Sequence, residues 1–230
     1  MPRVKNTTAD LILDVAEGLF AEHGYKAVSL RSILRECGAN TAAAHYHFGS
    51  KQELLDAIFE RRCAHMNATR LELLTAAQRT QKSLLTTSDN IERILAAFLR
   101  PALVWRDDDS GTRQFMRLRA VVAFEHEPLA RDLIGKYFNQ TSLRFVDALA
   151  EELPTLAKEE LYFRFHFLLG AHYYTVLNPG SIRALSGGAC NPADSERALR
   201  TMIAFCAAGL RSPSSLIGSV VTTPSMETTA

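Results

Sequence analysis

The chain has 230 residues, of which 47% are apolar and 22% are charged, and its formal net charge is +1. This length suits one large domain or two modest ones with a sizeable core. The near-neutral charge excludes a partner chosen by gross electrostatics, so any nucleic-acid binding needs a local arrangement of donors.

Helical periodicity runs through almost the whole chain and begins with an amphipathic first helix. Thr7 can cap the start of this helix, with Asp10 three residues on, and Gly24 ends it. Its apolar residues recur at i, i+3, i+4, i+7 and i+8, which is the spacing of one buried face: Ile12, Val15, Ala16, Leu19 and Phe20.

Two short helices joined at a glycine come next. Ser29 opens the first of them and Gly38 ends it, while Asn40 is a good N-cap for the second, which ends at Gly49. Glycine accepts the positive φ that such a turn requires. The pattern predicts a helix-turn-helix, whose second helix enters the major groove of DNA with its N-terminal residues first.

The second helix of this pair has small residues near its start and polar aromatic residues near its end. Alanine avoids clashes with bases, whereas asparagine and threonine can hydrogen-bond base edges or phosphates. Tyrosine and histidine are phosphate donors that orient a helix without reading sequence. Together with residues that flank this helix, the predicted DNA-contacting residues are Ser29, Arg31, Asn40, Thr41, Ala42, Ala43, His45, Tyr46, His47 and Lys51.

A capping box formed by Ser50 and Glu53 opens a connecting helix, predicted over about residues 50–66. Lys51 lies in its first turn. There the lysine ammonium and the free N–H groups of the helix together favour an anion such as a phosphate.

Further helices follow, separated by proline, glycine and a run of aspartates. They are predicted over 89–105, 112–126, 128–152, 158–177 and 194–211, with a loop at 181–193. The predicted fold is all-α: an N-terminal three-helix helix-turn-helix domain over 1–52, a larger C-terminal helical domain for ligand binding and dimerisation over 53–211, and a mobile tail over 212–230.

The helix at 158–177 is apolar on nearly every face, which predicts burial on both sides and hence a subunit interface. The helix at 194–211 carries a second apolar face, and two helices from each subunit would make a four-helix bundle. An ordinary core helix pair is the alternative. The predicted interface residues are Phe163, Gly170, Tyr174, Met202, Ile203, Cys206 and Leu210.

A pocket for a small molecule would lie among the helices at 89–105, 112–126, 128–152 and 158–177, with apolar walls and a few polar groups. Simple core packing is the alternative for each aromatic residue. Arg119 or His166 is expected to face a polar group of the ligand, and the full predicted set is Phe98, Met116, Arg119, Val122, Phe138, His166 and Phe167.

Residues 7 to about 60 resemble the N-terminal domain of the TetR family of transcriptional regulators, and "YHFGSKQELL" at 46–55 is the most specific part. The resemblance implies a homodimer that binds a palindromic operator in double-stranded DNA, usually as a repressor released by a small hydrophobic or amphipathic molecule. The residues that carry it are Ile12, Ala16, Phe20, Gly24, Tyr25, Ile33, Gly38, Tyr46, His47, Phe48 and Lys51.

Two residues depart from the family pattern. The family usually has a small residue where Leu34 stands, and often Tyr or Asn where His45 stands. Residues beyond 61 resemble the family only in being helical. Within them, the run from Glu159 to Gly188 is similar to a subgroup of these regulators, some of which answer to fatty acids or their CoA esters, so such an effector is one possibility.

The rival hypothesis is a helical enzyme or small-molecule carrier whose helix-turn-helix is only structural. No GxSxG, P-loop or GxGxxG motif favours it, and we expect no enzyme activity. The four cysteines form no CxxC pair, and His166 and His172 are six residues apart, so neither a metal nor another cofactor is expected. With no secretory signal or long uninterrupted apolar run, we expect a cytoplasmic protein with reduced, buried thiols and no membrane partner.

Overall fold

A computed structural model describes residues 7–39, 48–81, 88–104, 110–124 and 128–214. Within these ranges the regular structure is entirely helical, which confirms the predicted all-α fold. The helices are α1 (Thr8–His23), α2 (Leu30–Cys37), α3 (Lys51–Gln81), α4 (Ser88–Leu103), α5 (Ser110–Phe124), α6 (Pro128–Glu152), α7 (Lys158–Leu177), α8 (Pro179–Leu185) and α9 (Ser195–Arg211).

The first two helices begin and end where their capping residues predict. The Thr7 hydroxyl accepts from the Asp10 backbone N–H while the Asp10 carboxylate accepts from the Thr7 backbone N–H, so the expected capping box is present. Ser29 and Ser32 form a second reciprocal cap at the start of α2. Gly38 has φ 62° and ψ 21°, the left-handed conformation that an L side chain rarely adopts.

Two elements differ from the sequence-based expectation. The connecting helix α3 has 31 residues and so spans about 45 Å, far beyond the predicted end near residue 66. No glycine or proline interrupts it. Helix α8 occupies part of the predicted loop at 181–193, because Pro179 has the fixed φ that suits a first helical position.

The described residues form two hydrophobic cores, and α3 contributes to both. The first core joins α1, α2 and the start of α3 to Phe115 of α5 and Phe138 of α6. The second joins Leu74 near the end of α3 to α4, α6, α7 and α9. The N-terminal helices thus share a core with the larger helical body, and the domain boundary at 52/53 stays a prediction.

None of the helices in the described ranges is long and apolar enough to cross a membrane. The four cysteines are free thiols, but only Cys63 and Cys206 are buried, so the expectation that all four are buried was wrong for Cys37 and Cys190. Burial raises the pKa of the Cys63 thiol to about 12.

Candidate DNA-binding surface and effector core

The segment expected to read DNA lies outside the described residues. The predicted contacts that fall there are Asn40, Thr41, Ala42, Ala43, His45, Tyr46 and His47. The described residues frame this segment on both sides, with the left-handed turn at Gly38 before it and Gly49, also at positive φ, after it. These seven contacts therefore stay predictions.

Ser29 and Arg31 lie at the exposed N-terminus of α2. The Ser29 hydroxyl accepts from the Ser32 backbone N–H at 3.0 Å, so it caps the helix. Arg31 is exposed in the first helical turn, where the positive end of the helix dipole favours an anion. Both positions suit a phosphate of a flanking DNA strand, and their contacts stay predictions.

Lys51 has a structural role that the sequence did not indicate. Its ammonium donates to the carbonyl oxygens of Tyr25 and Val28, both at 2.8 Å, and lies 4.2 Å from the centre of the Tyr25 ring. The start of α3 is thereby attached to the loop between α1 and α2. The predicted phosphate contact of Lys51 stays a prediction. A phosphate there would share the ammonium with the Tyr25 and Val28 carbonyls.

Helix α1 is held to the body by a buried carboxylate. One oxygen of Glu17 accepts from Arg61 Nη2 and from Arg62 Nε, both at 2.9 Å, and the Glu17 side chain is 1% exposed. Burial raises the pKa of the Glu17 carboxyl, and the two guanidiniums partly oppose that rise. One turn further along α1, Arg117 Nε of α5 donates to the Ala21 carbonyl at 3.0 Å. Both α3 and α5 therefore attach directly to α1.

Five of the seven predicted effector-lining residues are buried in the helical body: Phe98, Met116, Arg119, Val122 and Phe138. The other two, His166 and Phe167, are exposed on the outer side of α7, and Phe167 is 65% exposed. They do not lie with the buried group, and their part in an effector pocket stays a prediction. An all-apolar helix does not reveal its inward face, and α7 instead turns Leu161, Phe165, Leu168 and His172 inward.

A cationic cluster occupies the centre of the helical body. We name the set of Arg70 (α3), Arg119 (α5) and His172 (α7) the buried cationic cluster; each residue is 1% exposed. Arg70 Nε donates to the Phe98 carbonyl at 3.0 Å, and its guanidinium lies 4.2 Å from the centre of the Phe98 ring. The Arg119 guanidinium lies 3.9 Å from the centre of the Phe138 ring and 5.1 Å from that of Tyr173.

The cluster lacks counter-charge among the described residues. Buried atoms without a hydrogen-bond partner there include Arg70 Nη2, Arg119 Nε, Arg119 Nη1 and His172 Nδ1. Burial, reinforced by the charge of Arg119, lowers the pKa of Arg70 well below its ordinary value. Burial lowers the pKa of His172 as well, with Arg119 and then Arg70 adding to the effect, so the imidazole is neutral at pH 7.

Aromatic contacts do not offset the burial of two cations. Taking one ion out of water costs several kcal/mol in a protein, whereas a desolvated cation–π contact contributes about 2 kcal/mol. Unpaired N–H groups add a further penalty. An anion at the cluster would accept these hydrogen bonds and supply the missing charge. Within the described ranges, no group of three or more His, Cys, Asp or Glu side chains is arranged to hold a metal ion.

An aromatic face lies on the outside of the body, on α7 and α9. We name Phe163, Phe167, Tyr174 and Phe205 the aromatic face; they are 57%, 65%, 55% and 72% exposed. An open, mainly apolar groove of about 730 Å³ runs between α7 and α9 beside Phe163, Phe167 and Phe205.

The predicted interface residues divide between this surface and the core beneath it. Phe163, Gly170 and Tyr174 are exposed, Met202 and Ile203 are half-buried, and Cys206 and Leu210 are buried by their own chain. Phe205, which is next to Cys206 but points outward, was not among the predicted interface residues. The interface itself stays a prediction.

The sequence also matches known families and curated proteins. The model described as bacterial regulatory proteins, tetR family, matches residues 12–58, and the model described as tetracyclin repressor-like, C-terminal domain, matches residues 96–209. The nucleoid occlusion factor SlmA of Haemophilus influenzae is 22% identical over 146 residues, which are 64% of this chain and 61% of SlmA. The chain thus spans about three fifths of the length of the curated relatives it matches.

Solved structures resemble the whole fold at low identity. The fatty acid degradation regulator FadR from Bacillus halodurans has a TM-score of 0.56 at 14% identity, over 91% of this chain and 99% of FadR. The TetR family transcriptional regulator PfmR from Thermus thermophilus has a TM-score of 0.51 at 19% identity, over 90% of this chain and 98% of PfmR. These likenesses concern the fold alone. The two family models together cover more than half of the sequence, and the chain belongs to the TetR family of transcriptional regulators.

Proposed function

We propose that the chain is a DNA-binding transcriptional repressor that acts as a homodimer and leaves its operator when a small molecule binds in the helical body. The observation that carries this proposal is the frame around residues 40–47. The capped α2 and the left-handed Gly38 precede that segment, and Lys51 bonds the helix that follows it to the loop before α2. A family whose members are transcriptional regulators supports the same reading.

Dimerisation supplies the second reading segment. Exposed aromatic patches mark interaction surfaces, and a two-fold axis through the aromatic face would place the same patch of each subunit against its copy. Two reading segments then meet two half-sites of a pseudo-palindrome, about one helical turn of DNA apart. Each half-site alone gives too few contacts for tight binding.

Release follows from the attachments of α1. A ligand bound among α3, α5 and α7 moves the helices it touches, and α3 and α5 are the two helices bonded to α1 through Glu17 and Ala21. A shift of either helix changes the orientation of α1 and α2 relative to the body. The two reading segments then lose their spacing, and only a ligand that prefers the shifted form can drive the change.

A binding assay with DNA tests the proposal. Fragments that tile the region upstream of the gene for this protein are titrated in a gel-shift assay against an excess of unrelated competitor DNA. We expect one fragment to bind specifically, with a footprint that contains an inverted repeat. Arg31→Ala should weaken binding to this fragment, whereas Arg183→Ala, an exposed arginine of α8, should not. Specific binding that is equal in both variants would contradict the placement of α2 against DNA.

The rival proposal of a helical enzyme or carrier predicts no specific fragment at all. The same titration as a function of salt separates the two cases. Phosphate contacts displace counterions, so a DNA-binding dimer should lose affinity steeply as salt rises, despite the neutral chain. A flat response between low and moderate salt would argue for a chain whose helix-turn-helix is only structural.

A further inference from the structure

We propose that the buried cationic cluster is the effector site, and that it takes the carboxylate of a small organic acid with an apolar body. This inference deepens the proposed function, because it names the chemical class of the molecule that would release DNA. It rests on Arg70, Arg119 and His172, of which only Arg119 was predictable from the sequence.

Three donors converge from three helices. Arg70 comes from α3, Arg119 from α5 and His172 from α7, and all are buried to the same extent. The two guanidiniums and the imidazole lie close enough for the charges of the arginines to act on one another and on the histidine. Residues that served only to pack the core would be apolar, or would have acidic partners.

The unused hydrogen-bond capacity suits an anionic acceptor such as a carboxylate. Nε and Nη1 of Arg119 both lack a partner among the described residues, and they present N–H groups on different edges of the guanidinium. A guanidinium N–H forms a charge-assisted hydrogen bond with a carboxylate oxygen, which is stronger than a bond between neutral groups. Nη2 of Arg70 and the neutral His172 imidazole each offer a further contact.

The surroundings of the cluster select an apolar body. The rings of Phe98, Phe138 and Tyr173 cover the guanidiniums, and no described carboxylate pairs with either arginine. An inorganic phosphate has no apolar part to place against these rings. A carboxylic acid with a hydrocarbon chain or ring satisfies both the charge and the apolar walls.

The position of the cluster explains how its occupant would act on DNA binding. Arg119 lies two residues from Arg117, which bonds the Ala21 carbonyl of α1. Arg70 lies on α3, the helix whose Arg61 and Arg62 hold Glu17 of α1. A carboxylate that draws Arg70 and Arg119 together would move α3 and α5 relative to each other, and both helices transmit that shift to α1.

The test measures carboxylate binding to the full chain by titration calorimetry and by the shift in Tm. The probes are butanoate, hexanoate and octanoate, each compared with the alcohol of equal carbon number, and inorganic phosphate. We expect at least one carboxylate to bind more than tenfold tighter than its alcohol. Arg119→Met should abolish this preference, and Arg144→Met, an exposed arginine of α6, should keep it. Arg70→Met gives the same readout from another helix if Arg119→Met does not fold.

Three results would overturn the proposal: no carboxylate of the series binds tighter than its alcohol, the preference survives in the Arg70→Met/Arg119→Met double variant, or phosphate alone binds. The gel-shift assay separates this failure from failure of the proposed function. Specific DNA binding without a carboxylate preference would contradict the effector site but not the proposed repressor function. A carboxylate preference that depends on Arg119, in a chain that binds no DNA, would support the effector site and contradict the proposed repressor function.

Discussion

At the scale of single residues, Lys51 combines a structural bond with a predicted phosphate contact. Lys51→Met removes both hydrogen bonds to the carbonyls of Tyr25 and Val28, so we expect the free energy of unfolding to fall by about 2 kcal/mol in urea denaturation. Arg31→Ala changes an exposed side chain and should leave that free energy within about 0.5 kcal/mol. Unchanged stability of Lys51→Met, together with a weaker salt dependence of DNA binding, would make the lysine a phosphate ligand only.

His172 should make stability depend on pH. Below its ordinary pKa of 6.5 the unfolded chain binds a proton at this residue, whereas the folded chain does not, because burial lowers the pKa of His172. The folded state therefore loses about 1.4 kcal/mol per pH unit through this group as the pH falls below 6.5, and the contribution is fully present above it.

Denaturation of wild type and His172→Gln from pH 7.5 to 5 checks this expectation. The unfolding free energy of the wild type should decrease relative to that of His172→Gln as the solution becomes more acidic. His65→Gln, on the exposed surface of α3, is the matched control. Parallel pH profiles for wild type and His172→Gln would show that the imidazole reaches water in the folded state.

Single-residue roles were predictable where they depend on local spacing, and unpredictable where they depend on distant partners. The Thr7 cap follows from Asp10 three residues later, and the Gly38 turn follows from its own conformational freedom. The two carbonyls that hold Lys51 lie 23 and 26 residues away in sequence, and nothing near Lys51 marks them. Arg70 likewise stands in a stretch rich in polar and charged residues, so the local pattern gives no sign of its burial.

At the scale of helices, Gly18 controls how closely α1 approaches α5. A Cβ added at Gly18 would meet only the end of the flexible Gln114 side chain, which can move aside. Gly18→Ala should therefore be neutral, or stabilising by up to about 1 kcal/mol through better helix propensity. Gly18→Leu is too large for this contact and should cost about 1–3 kcal/mol by separating the helices.

Urea denaturation of both Gly18 variants measures the two effects. The smaller substitution is the control for the larger, because both remove glycine from the same helical position and differ only in bulk. Equal stability of the two variants would mean that α1 and α5 are not in close contact at this point. Strong destabilisation by alanine would mean that Gln114 is fixed in place.

Helix faces were harder to predict than helix positions. The starts and ends of α6 and α7 agree with the predicted ranges 128–152 and 158–177, since prolines at 128, 154 and 179 mark the breaks around them in the sequence. The inward face of α7 could not be predicted, because apolar residues occur on every side. The end of α3 was also missed, because no glycine or proline follows residue 66 in the helix to mark it.

At the scale of the whole molecule, the two cores explain why DNA binding and effector binding can influence each other. The helices around the reading segment do not pack as a separate unit, since Phe115 and Phe138 of the larger body belong to their core. Helix α3 extends from this core into the second one. A sequence pattern gives the periodicity of each helix but not which helices share a core, so this coupling needed the structure.

The aromatic face should hold two subunits of the chain together. The chain mass is 25.5 kDa, and we expect light scattering after size exclusion to give twice that value for the wild type. Phe167→Glu together with Phe205→Glu puts charges on residues that are exposed in the monomer, so the subunit should still fold but should no longer pair. Leu11→Glu, a change at an exposed apolar residue of α1, should leave the protein dimeric.

The monomeric variant should bind the operator far more weakly, and its salt slope should be about half that of the dimer because half of the phosphate contacts are lost. A monomeric wild type, or a double variant that remains dimeric, would assign the subunit contact to another surface and leave the aromatic face without its proposed partner.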